Sequence, residues 1–135
     1  MSPRLRSFKP FSRPLLWACL WILALAAVVV ASLLPGSDLP QWQVSDKTEH
    51  FLAYGLLSAG AVQLFSRRRS LVVVCVLLIL LGVLLEFLQG AMGLGRTQDM
   101  RDALANGLGV LLGLATMFMP LRDALLRLDG WLFRR

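Results

Sequence analysis

The side chains able to do chemistry fall in three short stretches of the 135-residue chain. Asp46, Lys47, Glu49, His50 and Tyr54 form the first, Glu86 and Gln89 the second, and Arg96, Asp99, Arg101, Asp102 and Asn106 the third. His50 is the single histidine, and histidine side chains exchange protons near neutral pH. With a carboxylate such as Glu86 or Asp102, His50 would make an acid–base pair, so these three are the catalytic candidates. Arg96 and Arg101 are of the type that grips phosphate. One histidine beside several acids is a thin donor set for a metal, and neither a metal nor a cofactor is expected. No G-x-S-x-G, no H-E-x-x-H and no phosphate-cradling glycine loop occurs, so a familiar hydrolase machinery is not written here.

Spacing predicts how these residues face one another. Lys47, His50 and Tyr54 differ by three and four, as do Asp99, Asp102 and Asn106, while Glu86 and Gln89 differ by three. Each set therefore lies on one face of a helix. Several members also have plainer uses. Asp46 with Glu49 can form a capping box, Asp99 or Asp102 can cap a helix, and Tyr54 can sit at a membrane interface. Lys47 and Arg101 can reach headgroups by snorkelling. Glu86, one turn inside an apolar stretch, either pairs with Lys47, Arg96 or Arg101 or carries a proton.

The elements that must position these stripes are apolar. Hydrophobic residues make up 57% of the chain and charged residues 16%, against about 25% charged in a soluble domain. The mean hydropathy of +0.68 agrees. A membrane helix needs roughly 20 apolar residues. Four runs qualify or nearly so: Leu15 to Leu34, Phe51 to Phe65, Leu71 to Leu88 and Ala103 to Met119. The second is short, so its polar start must lie at headgroup depth. The expected fold is all-α, a four-helix transmembrane bundle over residues 15–119, flanked by a basic tail at 1–14 and a basic amphipathic segment at 120–135. Short connections make consecutive helices antiparallel neighbours.

Basic residues set the expected direction. Arg4, Arg6, Lys9, Arg13, Arg67, Arg68, Arg69, Arg122, Arg127, Arg134 and Arg135 fall on one side of a four-span chain, leaving Lys47, Arg96 and Arg101 on the other. Lys and Arg mark cytoplasmic loops, so both termini are expected inside and the three polar stripes at the outer face. The net charge of +6 then serves topology, and no nucleic-acid partner is expected. The first run continues past a typical signal-peptide core, so it is expected to remain as a helix. Cys19 and Cys75 lie inside apolar runs and read as buried small hydrophobes. In the last segment, Leu121, Ala124, Leu125, Leu128 and Leu132 form one helical face and Arg122, Asp123, Arg127 and Asp129 the other, which predicts a helix on the cytoplasmic membrane surface with Trp131 and Phe133 at the interface. Ala105, Gly109 and Gly113, and likewise Gly55 and Ala59, repeat every four residues and predict close helix packing.

Four segments resemble the VanZ-like family of small bacterial membrane proteins. They are Ser32-Leu33-Leu34-Pro35, then Asp46-Lys47-Thr48-Glu49-His50-Phe51-Leu52-Ala53-Tyr54, then Glu86-Phe87-Leu88-Gln89, and finally the stretch from Gly95 to Gly109 with its R-x-x-D-x-x-D-x-x-x-N-x-x-G pattern. Gly107 departs from the threonine more usual there. The resemblance implies a cell-envelope role in the bacterial cytoplasmic membrane, with a link to teicoplanin susceptibility, but no settled reaction. Three functions stay open. One is a pocket of Asp46, Lys47, His50, Tyr54, Glu86, Gln89, Arg96, Asp99, Asp102 and Asn106 that binds an envelope lipid or lipid-linked glycan. The others are an acid–base enzyme built on His50, and a structural subunit whose stripes are internal ion pairs.

Overall fold

The computed structural model describes residues 7–35, 45–93 and 99–133. Five α-helices follow one another: α1 (Pro14–Leu33), α2 (Asp46–Leu64), α3 (Arg68–Met92), α4 (Met100–Ala115) and α5 (Ala124–Phe133). Two short 3₁₀ turns, Thr116–Phe118 and Pro120–Asp123, link the last pair. Among the described residues the only extended pairing is an isolated antiparallel bridge between Phe8 and Phe65.

Local sequence sets the helix ends. Pro14 opens α1, where its missing N–H costs no helical bond. Leu34, ahead of Pro35, is extended and closes it. Ser45 caps α2, its side chain accepting from the Thr48 N–H, so Asp46 is the first helical residue and not the cap. Asp99 caps α4 by accepting from the Arg101 N–H at 2.8 Å. Helix α3 runs one turn beyond the expected Leu88 and ends at Gly93, whose φ of +63° suits a residue without a Cβ. Helix α4 is shorter than its apolar run. Met119, ahead of Pro120, is extended, and the chain bends there by 81° into the terminal segment.

Of the four expected spans, α1 and α3 are long and apolar enough to cross a membrane. A third is added if the bent stretch from Met100 to Phe133 is one span. The charged first turn of α2, with Asp46, Lys47 and Glu49, dilutes its apolar character. Large hydrophobic side chains stand exposed along α1, α3 and α4, including Leu15, Leu23, Val73, Leu77, Leu80, Leu108 and Leu111. Such a surface suits lipid and not water.

Helix α2 is the centre. Tyr54, Leu57, Cys75, Leu78 and Val110 form one buried cluster, and Ala61, Val62 and Leu71 another, with Trp21 and Leu25 of α1 packed against them. The most extensive contact is between α2 and α4, which are not consecutive and run parallel. The glycine stripe makes it possible. A Cβ on Gly109 would land on the Phe51 carbonyl, and one on Gly113 would sit 2.7 Å from Ser58 Cβ and 2.8 Å from the Ala59 nitrogen. The Ser58 hydroxyl donates to the Val110 carbonyl across this seam at 2.8 Å. Consecutive helices are also in contact, as expected, but the tightest pairing skips one.

The two terminal segments meet at one end of the bundle. Lys9 pairs with Asp123 at 2.8 Å, and its backbone N–H donates to the Leu64 carbonyl. Asp129 is fully buried. Its carboxylate accepts from the Ser12 N–H (2.6 Å), the Arg13 N–H (3.3 Å) and the Trp17 indole (2.8 Å). The expectation that Asp129 shares a solvated face with Arg122 and Arg127 is therefore wrong. It satisfies the backbone N–H groups of Ser12 and Arg13, which lead into α1, and the indole of Trp17 near the start of that helix. Leu121, Leu128 and Leu132 are exposed, as are Arg122 and Arg127, so of the four polar residues of this segment only Asp129 turns into the bundle. Gln63 holds the same segment from α2, donating to the Leu121 carbonyl and accepting from the Leu125 N–H.

Candidate functional site

At the opposite end, the start of α2, the end of α3 and the start of α4 converge. The first two turns of α2 place Lys47, His50 and Tyr54 toward α4, which places Asp102 and Asn106 opposite. From α3, Glu86 reaches between them. Tyr54, Glu86 and Asn106 are each 1% exposed, and Asp102 is 5% exposed. This much buried polarity within a few turns needs partners, because an unsatisfied buried polar group costs about 1–3 kcal/mol.

His50 is at the centre. Its Nδ1 lies 3.0 Å from Asn106 Oδ1 and 3.8 Å from Glu86 Oε1, and its Nε2 lies 3.7 Å from Asp46 Oδ1. Since Asn106 Oδ1 can only accept, Nδ1 donates, and in the neutral ring Nε2 then carries the lone pair. Lys47 reaches Asp99 at 3.2 Å and Asp102 at 3.6 Å. Glu86 accepts from the Asp99 N–H at 3.3 Å. The Arg101 N–H and the Lys47 ammonium, both donating to Asp99, hold its carboxyl below the usual carboxylate range.

Among the described residues, three buried side-chain atoms have no hydrogen-bond partner: Tyr54 Oη, Glu86 Oε1 and Asp102 Oδ1. Asp46, His50 and Asp102 each offer a donor atom within 4.8 Å of the others. The described part of the cluster holds four carboxylates, Asp46, Glu86, Asp99 and Asp102, against Lys47 and His50.

No protein-family model, curated protein or solved structure matches this chain. The site therefore rests on its own geometry.

Most of the residues singled out by spacing come together here: Asp46, Lys47, His50, Tyr54, Glu86, Asp99, Asp102 and Asn106. Gln89 does something else, donating to the Ser32 carbonyl at 2.7 Å and so fastening α3 to the end of α1. Arg101 is exposed at the rim, and Arg96 lies outside the described residues. Lys47 is held by Asp99 and Asp102, while Glu86 faces His50. Ser45 is the N-cap of α2, so Asp46 with Glu49 stands one residue too late for a capping box. Asp99 does both things foreseen for it, capping α4 and joining the cluster. Several polar residues with tertiary roles were not foreseen, among them Ser58, Gln63, Asp129 and the Lys9–Asp123 pair. Ser58 and Gln63 did carry a signal, being polar side chains within an apolar run.

A separate apolar cavity of about 460 Å³ lies near the terminal clasp, lined by Trp17, Leu20, Trp21, Gly60, Leu64 and Leu128 among others.

Proposed function

We propose that this chain is a VanZ-like, four-span protein of the bacterial cytoplasmic membrane with both termini inside, and that its polar cluster binds the headgroup of an envelope lipid or lipid-linked glycan. The carrying observation is the set of unpartnered buried atoms, Tyr54 Oη, Glu86 Oε1 and Asp102 Oδ1, at one end of an apolar bundle. A group that brings its own donors and acceptors to headgroup depth would satisfy them. The distribution of Lys and Arg supports an outward direction for that end. The segments resembling the VanZ-like family support the envelope role and the link to teicoplanin susceptibility.

Native mass spectrometry of the purified protein tests this. The wild type should carry anionic lipid that Arg96→Ala and Lys47→Ala together remove. The same lipids at the same occupancy in the double variant would overturn the proposal. A second use of the site is favoured by the contact of His50 with Glu86 and Asn106, which presents Nε2 as a base. It requires that His50→Gln and Glu86→Gln each abolish function in protein that still inserts and folds.

A further inference from the structure

A single histidine in the sequence argues against a metal, yet the fold changes the donor set by bringing α4 against α2. We propose that Asp46, His50 and Asp102 form a site for one divalent cation of borderline character, Zn²⁺ or Mn²⁺. Asp46 and His50 are four residues apart on one helical face, and Asp102 approaches from the neighbouring helix. Their donor atoms already lie within 4.8 Å of one another, with Asp46 Oδ1 and His50 Nε2 at 3.7 Å. Bonds of about 2.0–2.2 Å in a tetrahedral site place donors roughly 3.4 Å apart, so closure needs movements of about an ångström.

Two further observations point to a ligand. First, Asp102 Oδ1 is buried, has no hydrogen bond and belongs to the carboxylate at this corner. Lys47 is its charged neighbour at 3.6 Å, beyond hydrogen-bonding range, and is itself drawn toward Asp99. Second, Nδ1 of His50 is already committed to Asn106 Oδ1, with Glu86 behind it. Metal-bound histidines show the same arrangement, in which the far ring nitrogen donates to an oxygen and fixes the lone pair of the near one. Imidazole with carboxylates suits Zn²⁺ or Mn²⁺ and not Cu(I), which prefers sulfur. Cys75 contacts Ser58 in the bundle interior and Cys19 is on α1, so neither thiol belongs to this corner. A cation here would also offset the excess of carboxylates among the described residues.

The inference stands apart from the headgroup proposal. Lipid without metal would defeat only this one, and metal without lipid only the other. The test uses full-length protein in nonionic detergent, stripped with chelator, its helicity checked by circular dichroism, then titrated with Zn²⁺ in a calorimeter. One equivalent should bind. Asp46→Asn, an exposed change that spares the core, and His50→Gln should each weaken binding by about tenfold or more. Lys47→Met should tighten it, because a competing cation is removed, whereas a purely structural ion pair would give no such gain. The Cys19→Ser, Cys75→Ser double variant should bind as the wild type does. No binding by folded wild type, or binding unchanged in Asp46→Asn and His50→Gln, overturns the site.

Discussion

Replacing Gly113 by alanine should be far more damaging than the same change at Gly107, six residues earlier on the same helix. A methyl on Gly113 would stand 2.7 Å from Ser58 Cβ and 2.8 Å from the Ala59 nitrogen. Carbon contacts are comfortable at about 3.5–4.0 Å. The obstructing atoms belong mostly to the backbone of α2, so no flexible side chain can move aside. The helices would have to separate by about 1 Å along their principal contact, loosening Val110 and the Ser58 hydrogen bond with it. Overpacking of this kind costs about 1–3 kcal/mol, and the backbone location puts the expectation near the upper figure. At Gly107 nothing lies within 4 Å of the added methyl. Alanine there should stabilise the helix by about 0.5–1 kcal/mol. The difference, about 3–4 kcal/mol, is more than a hundredfold in the unfolding equilibrium. Reversible unfolding in mixed micelles of mild detergent and dodecyl sulfate, followed by circular dichroism, would measure it. Equal stabilities for the two variants would refute the claim that α2 and α4 meet backbone to backbone.

Asp129→Ala strands three donors and should cost at least about 3 kcal/mol, since bonds to a charged acceptor contribute about 1.5–3 kcal/mol each. Arg127→Ala, an exposed change nearby, should cost under about 1 kcal/mol, and thermal unfolding followed by circular dichroism would separate the two. The Asp123 carboxyl is held below its ordinary range by hydrogen bonds from Lys9 and Arg122. Its stabilisation is therefore complete above the ordinary carboxylate range and is lost as pH falls through the lower, folded value. Asp123→Asn should lower the neutral plateau of a stability–pH curve and flatten that part of its acid limb, leaving the slope around neutral pH unchanged. Tyr54→Phe should be neutral or slightly stabilising, because its hydroxyl has no partner to lose. Loss of bound lipid in a folded Tyr54→Phe protein would show that the hydroxyl serves a ligand.

Helical periodicity alone placed Lys47, His50 and Tyr54 on one face, and Asp99, Asp102 and Asn106 on another, because three- and four-residue spacing is a local property. The glycine stripe likewise foretold a close approach. Periodicity could not say that α4 would choose α2 over its sequence neighbour, since that depends on which small residues find a matching groove. It also could not divide the carboxylates between partners. By type alone Lys47 could have met Glu86 or the acids of α4, and only the crossing of α2 and α4 decides that Asp99 and Asp102 hold it. Asp129 was misassigned for a related reason. An aspartate in a segment shared with Arg122 and Arg127 looks solvated until the Ser12 and Arg13 N–H groups and the Trp17 indole, more than a hundred residues earlier, are brought to it.

That last contact has a consequence for synthesis. Helix α1 is synthesised well before α5, and the Ser12 and Arg13 N–H groups that lead into it wait for an acceptor more than a hundred residues later. Until residue 129 emerges, α1 is held to the growing bundle by its apolar surface, the Trp21 bond to the Leu57 carbonyl and the Gln89 bond to the Ser32 carbonyl. Helix α5 thus acts as a latch on the start of α1. Synthesis halted just before residue 129 would deliver every described residue of the polar cluster and leave the entrance to α1 unlatched.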